Sequence, residues 1–307
     1  MFSVLISMAM IIVLGVVWRS WLGAEKAQVV RTHLVKAVYD IFLPALVLNV
    51  MWQATVDVNA LKLPMVAVTG VIFALALAWL CYGVMPWFVD RKERPMIGAL
   101  LLASSFGNFT YLGLPVITQT FGAKFQFIAI YFDFFAATPL LFTVGVIVAL
   151  SFGFSEQRVQ MVQEVVRVPA IWAAVVGVTL SVMGVVMPSW LAKSLSLLAA
   201  AVVPLMLLAV GMALAWRAGW LKRLPMLLPM ALIQLLWMPW VVWTTGELIA
   251  LPSSWLAPAV IEAAMPCMVL GIVLCDRFHL DASLYAEAVT VTTALSLLSL
   301  PLWLALL

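Results

Sequence analysis

The sequence predicts an all-α integral membrane protein of ten transmembrane helices, arranged as two inverted five-helix repeats. Three observations support this fold class: the composition, the spacing of the apolar segments and the distribution of the basic residues. Of the 307 residues, 66% are hydrophobic and only 9% are charged. A soluble domain carries about 25% charged residues. The chain is therefore expected to lie almost entirely within a lipid bilayer, with no affinity for nucleic acid at its small net charge of +3.

Charged or turn-rich breaks divide the chain into ten apolar segments. A spanning helix needs about 20 mostly apolar residues. The segments run roughly over 1–18, 32–53, 63–88, 95–120, 124–151, 167–187, 191–216, 223–249, 254–275 and 281–306. The first begins at Met1 without a basic n-region or a small-residue cleavage site, so it is expected to be a retained helix rather than a signal peptide.

The basic residues fall mainly in the odd-numbered connections, which predicts the orientation. The even connections hold Lys62, Lys124 and Lys193. Loops rich in Lys and Arg face the cytoplasm, so both termini are predicted to lie outside. The thirteen basic residues of the odd connections are Arg19, Lys26, Arg31, Lys36, Arg91, Lys92, Arg94, Arg158, Arg167, Arg217, Lys222, Arg223 and Arg277.

An internal repeat links the two halves. The stretch FLPALVLNV in segment 2 is similar to VVPLMLLAV in segment 7, which pairs Pro44 with Pro204. Five helices per half is an odd number, so the halves must have opposite orientations. We expect a first repeat over 1–151, a cytoplasmic linker over 152–166 and a second, inverted repeat over 167–307.

Two helix breaks fall at equivalent positions of the repeats, in segments 4 and 9. The first lies in SSFGNFTYLGLP, where Gly107 weakens the helix and Gly113 and Pro115 follow. The second lies at Met265–Pro266. Glycine and proline both disfavour helix interiors. Broken helices at matching positions of an inverted repeat indicate a binding site near the bilayer midplane.

The polar residues of the first break are the best candidates for contacting a ligand. Asn108 is foremost, because an amide inside a membrane needs partners for two donors and an acceptor. The alternative is a helix–helix hydrogen bond. The hydroxyls of Ser105 and Thr110 are weaker candidates, since such groups often bond back to their own helix. At the second break, Pro266 is expected to free the carbonyl of Glu262, although a plain proline kink would look similar.

Buried acids are the candidates for ion or proton coupling, since charges inside a membrane are costly and usually functional. They are Asp133 in an aromatic run, Glu262 one turn before the second break and Glu287 in segment 10. For Asp133 a structurally paired carboxylate is the equal alternative. Asp40 is expected to form an interfacial ion pair with Lys36, four residues earlier.

No enzyme or metal-site pattern is present. The sequence contains no GxSxG, Walker loop or HExxH. The three cysteines form no CxxC and lie in apolar stretches, which is typical of packing residues. We therefore predict a protein without catalytic residues, metal or cofactor, with a proton or sodium ion as the only expected coupling partner.

Three stretches resemble the auxin efflux carrier family of membrane transporters. They are GNFTYLGLP (107–115), AAMPCMVLGIVL (263–274) and the closing run LYAEAVTVTTALSLLSLPLW. The resemblance implies a ten-helix fold of the bile-acid-symporter and sodium/proton-antiporter type, with segments 4 and 9 crossing where they unwind. A transport domain of segments 3–5 and 8–10 would move, elevator-like, against a scaffold of segments 1, 2, 6 and 7, often in a homodimer.

Departures from the plant branch point to a bacterial member in the inner membrane. Gly107 stands where the plant proteins have the first crossover proline, while Asn108 and Pro266 match them. Cys267 replaces a glutamine, which weakens the expectation of a plant hormone as substrate. For bacterial members the resemblance implies small organic acids such as malate or malonate.

The sequence thus predicts a secondary transporter of a small organic anion, either a dicarboxylate or an auxin-like carboxylate, that works by alternating access. One alternative is a sodium/proton antiporter of the same architecture, although the first break lacks a carboxylate. The other is a membrane sensor, although no soluble output domain is seen. Gly113, Pro115, Pro44 and Pro204 are expected to shape the crossover. The predicted substrate contacts are Ser105, Gly107, Asn108, Thr110, Met265, Pro266 and Cys267.

Overall fold

The computed structural model describes residues 2–53, 58–85, 89–90, 92–153, 168–214 and 220–307. Within these ranges the regular elements are helices, joined at one point by an isolated antiparallel bridge. In chain order the helices are α1 (Phe2–Leu22), α2 (Ala24–Gln53), α3 (58–84), α4 (Arg94–Ser105), α5 (109–121), α6 (Ala123–Phe152), α7 (Pro169–Val182), α8 (Ser189–Ala213), α9 (220–248), α10 (Ser253–Ala263), α11 (Gly271–Arg277) and α12 (Ala282–Leu306).

Six helices of the described part of the chain are long and apolar enough to cross a membrane: α2, α3, α6, α8, α9 and α12. Helices α1 and α7 include shorter apolar stretches. The remaining helices are the halves of two interrupted segments, α4 with α5 and α10 with α11. The fold is therefore that of an all-helical, multi-pass membrane protein, whereas the number of ten crossings and the inverted repeat stay predictions.

One predicted boundary is wrong. Segment 2 was expected to begin at residue 32, but α2 begins at Ala24, directly after Gly23 in the left-handed region (φ 80°). The added turns contain Ala, Glu, Lys and Gln, which are good helix formers, so the helix continues beyond its apolar part. Lys26 and Arg31 consequently lie on a helix rather than in a loop.

Several predicted features fall outside the described residues. These are most of the predicted linker, residues 154–166, and four of the basic residues that determined the orientation, namely Arg91, Arg158, Arg167 and Arg217.

Helices α1, α2, α7 and α8 form one packed group. α1 packs along α8, and the second half of α2 packs along α7. The first contact depends on facing glycines, because a Cβ on Gly211 would lie 3.0 Å from the Cα of Gly15. Such small residues allow helix backbones in membranes to approach closely.

The other helices pack around the interrupted segments. α3 contacts α4 and α9, α9 contacts α10, and α12 contacts both α4 and α9. Several of these helices contain π-helical turns, which are frequent at functional sites. Three of the turns surround the break in segment 4: Phe109–Gly113, Asp133–Ala137 and Ile233–Trp237.

The two breaks meet in space, as the family resemblance implied. The backbone N–H of Asn108 donates to the carbonyl of Pro266 at 2.7 Å, and the N–H of Met268 donates to the carbonyl of Phe106 at 3.0 Å. These bonds form a short antiparallel pairing of Gly107 with Cys267. Unwound backbone is tolerated inside a membrane when protein groups satisfy it, and here each break satisfies the other.

Candidate functional site

The first break is closed by backbone groups of its own segment. After α4 ends at Ser105, the carbonyl of Asn108 accepts from the N–H groups of Leu112 (3.1 Å) and Gly113 (3.0 Å), which starts the next helical half. Pro115 follows the π-helical turn Phe109–Gly113 and is the second residue of the α-helical part of α5, Leu114–Phe121. The break is therefore a defined turn with its amide side chain at the start of α5.

The second break differs from the one expected. Pro266 does not free the Glu262 carbonyl, because α10 ends at Ala263 and the N–H of Met265 donates to that carbonyl at 3.2 Å. The chain turns before the proline is reached, so Pro266 lies in extended backbone rather than in a kinked helix. Its neighbours are held from outside the segment: Gln234 Nε2 donates to the Met265 carbonyl at 2.9 Å, and the Cys267 N–H donates to Thr292 Oγ1 at 3.2 Å.

A small cavity lies beside the crossing. Four predicted site residues line it: Gly107, Asn108, Thr110 and Asp133. The rest of the lining is mainly aromatic and aliphatic, and none of the described lining residues is Lys or Arg. The remaining members are Tyr39, Leu43, Phe109, Tyr111, Phe134, Thr138, Leu141, Phe142, Val168, Met268 and Leu270.

Asp133 is held by two hydroxyls at the wall of this cavity. Thr138 Oγ1 donates to Asp133 Oδ1 at 2.7 Å, and Thr110 Oγ1 donates to Oδ2. The backbone N–H of Thr110 also interacts with this carboxylate. Because Thr110 is in the first turn of α5, Asp133 lies at the positive end of that half-helix. The protein's own acid thus already uses part of this positive end.

Glu262 lies against α5 at Gly113, outside the cavity. Its side chain is fully buried, and neither carboxylate oxygen has a hydrogen-bond partner among the described residues. A Cβ built on Gly113 would lie 2.6 Å from the Glu262 Cδ. Asp133 is close enough to Glu262 for an electrostatic interaction. Two acids therefore approach the same unwound turn, one through Thr110 and one at Gly113.

The other acids are paired with basic side chains. Glu287 is buried with Arg223 Nη1 at 3.6 Å, and the same nitrogen lies 3.8 Å from Asp281. Asp40 forms the predicted ion pair with Lys36 at 2.7 Å. Both arrangements are explained by charge pairing alone.

Several predicted ligand contacts lie away from the cavity. Ser105 donates back to the Leu101 carbonyl at 2.8 Å, which is the alternative that the sequence left open. Met265, Pro266 and Cys267 are buried or engaged behind the crossing, and none of them is among the cavity's lining residues.

Sequence reasoning missed three residues at the site. Thr138 reaches Asp133 from five positions away because a π-helical turn separates them, and no sequence signal marks such a turn. Gln234 belongs to another segment, although a buried amide in an apolar run was a usable signal. Met268 lies only two positions beyond the recognised proline.

A larger cavity adjoins the first and shares Tyr39, Tyr111, Phe142 and Leu270 with it. Its lining includes Arg31, Thr32, Lys36 and Asp40. These residues belong to the end of α2 that the positive-inside rule assigns to the cytoplasm. The site is thus next to an opening on the predicted cytoplasmic side.

Among the described residues, no group of three or more His, Cys, Asp or Glu side chains is arranged to hold a metal ion. The oxygen atoms beside the cavity that could bind a monovalent cation belong to Asp133, Thr110 and Thr138.

An all-helical membrane protein whose two unwound segments cross beside a polar-lined cavity has the features of a membrane transporter. Comparison with known proteins agrees. A family model described as "Membrane transport protein" matches residues 154–304. An uncharacterized transporter of Methanocaldococcus jannaschii is 29% identical over 248 residues, covering 79% of this chain and 78% of its own. An uncharacterized transporter of Methanothermobacter thermautotrophicus is 26% identical over 305 residues, covering 97% and 95%. The second half of the chain thus resembles a family of membrane transport proteins, and the chain as a whole is similar to proteins named as transporters.

Proposed function

We propose that the protein is a secondary transporter of a small organic anion, with its substrate site at the crossing of the two unwound segments. One observation carries the proposal: Asn108 lines a cavity formed where the segments pair through backbone hydrogen bonds. An amide can donate two hydrogen bonds to a carboxylate. The sequence contains no Walker loop for binding a nucleotide, so an ion gradient or the substrate gradient would drive transport.

The lining favours a carboxylate with one charge and an apolar body. A dicarboxylate such as malate or malonate would bring two charges into a cavity whose described lining has no Lys or Arg and contains Asp133. Desolvating unpaired charges is costly. Aromatic side chains such as Tyr39, Phe134 and Phe142 suit an apolar body. An auxin-like or other aromatic monocarboxylate therefore fits better than a dicarboxylate, which is kept as a test compound.

Transport would proceed by alternating access. The cavity at the crossing adjoins the larger one on the predicted cytoplasmic side, which supports a cytoplasm-facing state. We propose that α1, α2, α7 and α8 are the scaffold, that the remaining helices move as the transport domain, and that two chains form a homodimer. The proposal also includes ten membrane crossings, inverted repeats, both termini outside and a location in a bacterial inner membrane.

Asp133 is the strongest candidate for coupling, because it alone of the three candidate acids lines the cavity. Glu262 is a candidate for a buried proton-carrying group, since it has no described hydrogen-bond partner. Glu287 is paired with Arg223 and has a sufficient structural role.

A cation antiporter is the second candidate function. Its main weakness in the sequence was the lack of a carboxylate at the first break. The structure brings Asp133 and Glu262 to the same turn of α5, through Thr110 and Gly113. Paired acids at a crossover suit cation exchange, so an antiporter would respond to sodium or pH without any organic acid.

The test is a thermal-shift screen of purified protein with aliphatic and aromatic mono- and dicarboxylates, followed by uptake into proteoliposomes. A ligand that binds only the folded state stabilises it by RT ln(1 + [L]/Kd), about 2.7 kcal/mol at 100 times Kd. Asn108→Ala should abolish both the shift and uptake. Ser104→Ala is the matched control, because Ser104 is buried near the break and donates back to Leu100.

If none of the acids shifts the unfolding temperature but sodium or pH does, the antiporter replaces the proposed function. Full uptake by Asn108→Ala would show that the substrate binds elsewhere.

A further inference from the structure

We infer that the transported unit is electrically neutral: one singly charged carboxylate moves together with one monovalent cation held at Asp133. This inference rests on the proposed function and extends it, because it specifies charge and stoichiometry.

The first step is the position of the acid. Asp133 lines the same cavity as Asn108, and it is the one charged residue of the described lining. An anion that contacts the Asn108 amide would share this small cavity with the aspartate. Two negative charges without a cation would repel each other strongly in surroundings of low polarity.

The second step is the set of groups around Asp133. Thr110 and Thr138 donate one hydroxyl each to its two oxygens. Tyr39 and Tyr111 line the same cavity, and Glu262 is the acid near enough to interact from α10. None of these groups supplies a positive charge.

The third step is the position of the bases that line the adjoining cavities. Arg31 and Lys36 line the larger one, and Arg277 lines another that shares Phe142 and Leu270 with the cavity at the crossing. None of the three lines the cavity at the crossing, and Lys36 is already paired with Asp40. They can attract an anion towards the entrance, but they do not neutralise Asp133 at the site.

The bound cation must therefore come from solution. The carboxylate of Asp133 keeps acceptor capacity beyond the bonds that it receives from Thr110 and Thr138. Carboxylate and hydroxyl oxygens are hard donors that suit a sodium ion, and a proton would neutralise the same carboxylate. Either cation neutralises Asp133, so a singly charged substrate brings the one net negative charge of the site. A dianion would bring two net negative charges and is disfavoured.

The experiment measures uptake of the best-stabilising monocarboxylate into proteoliposomes at imposed membrane potentials. Sodium and pH are varied in separate arms. For wild type we expect uptake that requires one of the two cations and accumulation that does not change with potential. Asp133→Asn should remove the cation requirement and make transport carry one negative charge, so accumulation should change by roughly 50-fold per 100 mV. Glu247→Gln, an exposed acid bonded to Trp243, should behave as wild type.

Potential-dependent uptake by wild type, or an unchanged cation requirement in Asp133→Asn, would overturn the inference. If Asp133→Asn is inactive, a second measurement tests the cation site: the stabilisation of the substrate-free protein by sodium or by acid. Loss of this stabilisation in Asp133→Asn supports the cation site, and unchanged stabilisation refutes it. Absence of uptake of any acid by wild type would instead refute the proposed function.

Discussion

Gly113 offers a direct test of how α5 and α10 fit together at the crossing. Its backbone is right-handed helical (φ −63°, ψ −51°), so alanine fits the local conformation. Alanine also has the higher helix propensity, by about 1 kcal/mol. By local structure alone, Gly113→Ala should stabilise the protein.

The contact between Gly113 and Glu262 predicts instead that Gly113→Ala destabilises the protein. The added Cβ would lie 2.6 Å from both the Cδ and the Oε2 of Glu262, whereas unstrained contacts between such atoms exceed about 3 Å. The glutamate is fully buried, so its carboxyl group has little room to move. Overpacking of this kind costs typically 1–3 kcal/mol. We expect Gly113→Ala to destabilise by up to about 2 kcal/mol after the helix gain of about 1 kcal/mol is subtracted.

The assay is a double-mutant cycle with Glu262→Ala, followed by tryptophan fluorescence during thermal unfolding in detergent. Removing the carboxyl group should reverse the sign, so that Gly113→Ala becomes neutral or stabilising in that background. Residues in contact couple by about 0.5–3 kcal/mol. Gly145→Ala is the control, since a Cβ there would meet only side-chain atoms, at 3.2 Å or more. Additive effects of the two substitutions would refute the proposed contact.

Three further predictions concern neighbouring interactions. Gln234→Leu should lower thermal stability, because it leaves the buried Met265 carbonyl without its donor, at a cost of about 1–3 kcal/mol. Thr138→Val should weaken the cation dependence of uptake at least as much as it weakens the affinity for the acid. The reason is that it removes one of the two hydroxyls that hold Asp133. Titrations of uptake against cation concentration measure this effect. Asp40→Asn should change the free energy of unfolding by less than about 1 kcal/mol, because its ion pair is exposed to solvent in the described structure, and thermal unfolding measures it.

Matched substitutions make these results specific. Thr143→Val removes a hydroxyl that donates to the Pro139 carbonyl at 2.7 Å in the same helix, so it should leave cation dependence unchanged. An equal effect of Thr143→Val and Thr138→Val would contradict the assigned role of Thr138. Unchanged stability of Gln234→Leu would show that another group satisfies the Met265 carbonyl.

The amino-acid sequence alone determined the class of protein and the place of both breaks. Composition and segment length are enough to predict a membrane protein, because the bilayer imposes a minimum apolar length on each helix. Gly107 and Pro266 act on the backbone within a few residues, so the places of the two breaks could be predicted locally. The Lys36–Asp40 pair was predictable for the same reason, since both residues lie one turn apart on a helix.

Only the tertiary structure decided which polar groups meet. Thr110 and Asp133 are 23 positions apart, and Glu262 reaches Gly113 from the other half of the chain. These contacts depend on the relative placement of whole helices, which a local pattern does not contain. The expected release of the Glu262 carbonyl failed because a tight turn ends α10 before Pro266. Hydrophobic pattern and backbone chemistry thus locate the breaks, while long-range packing assigns the acids and hydroxyls around them.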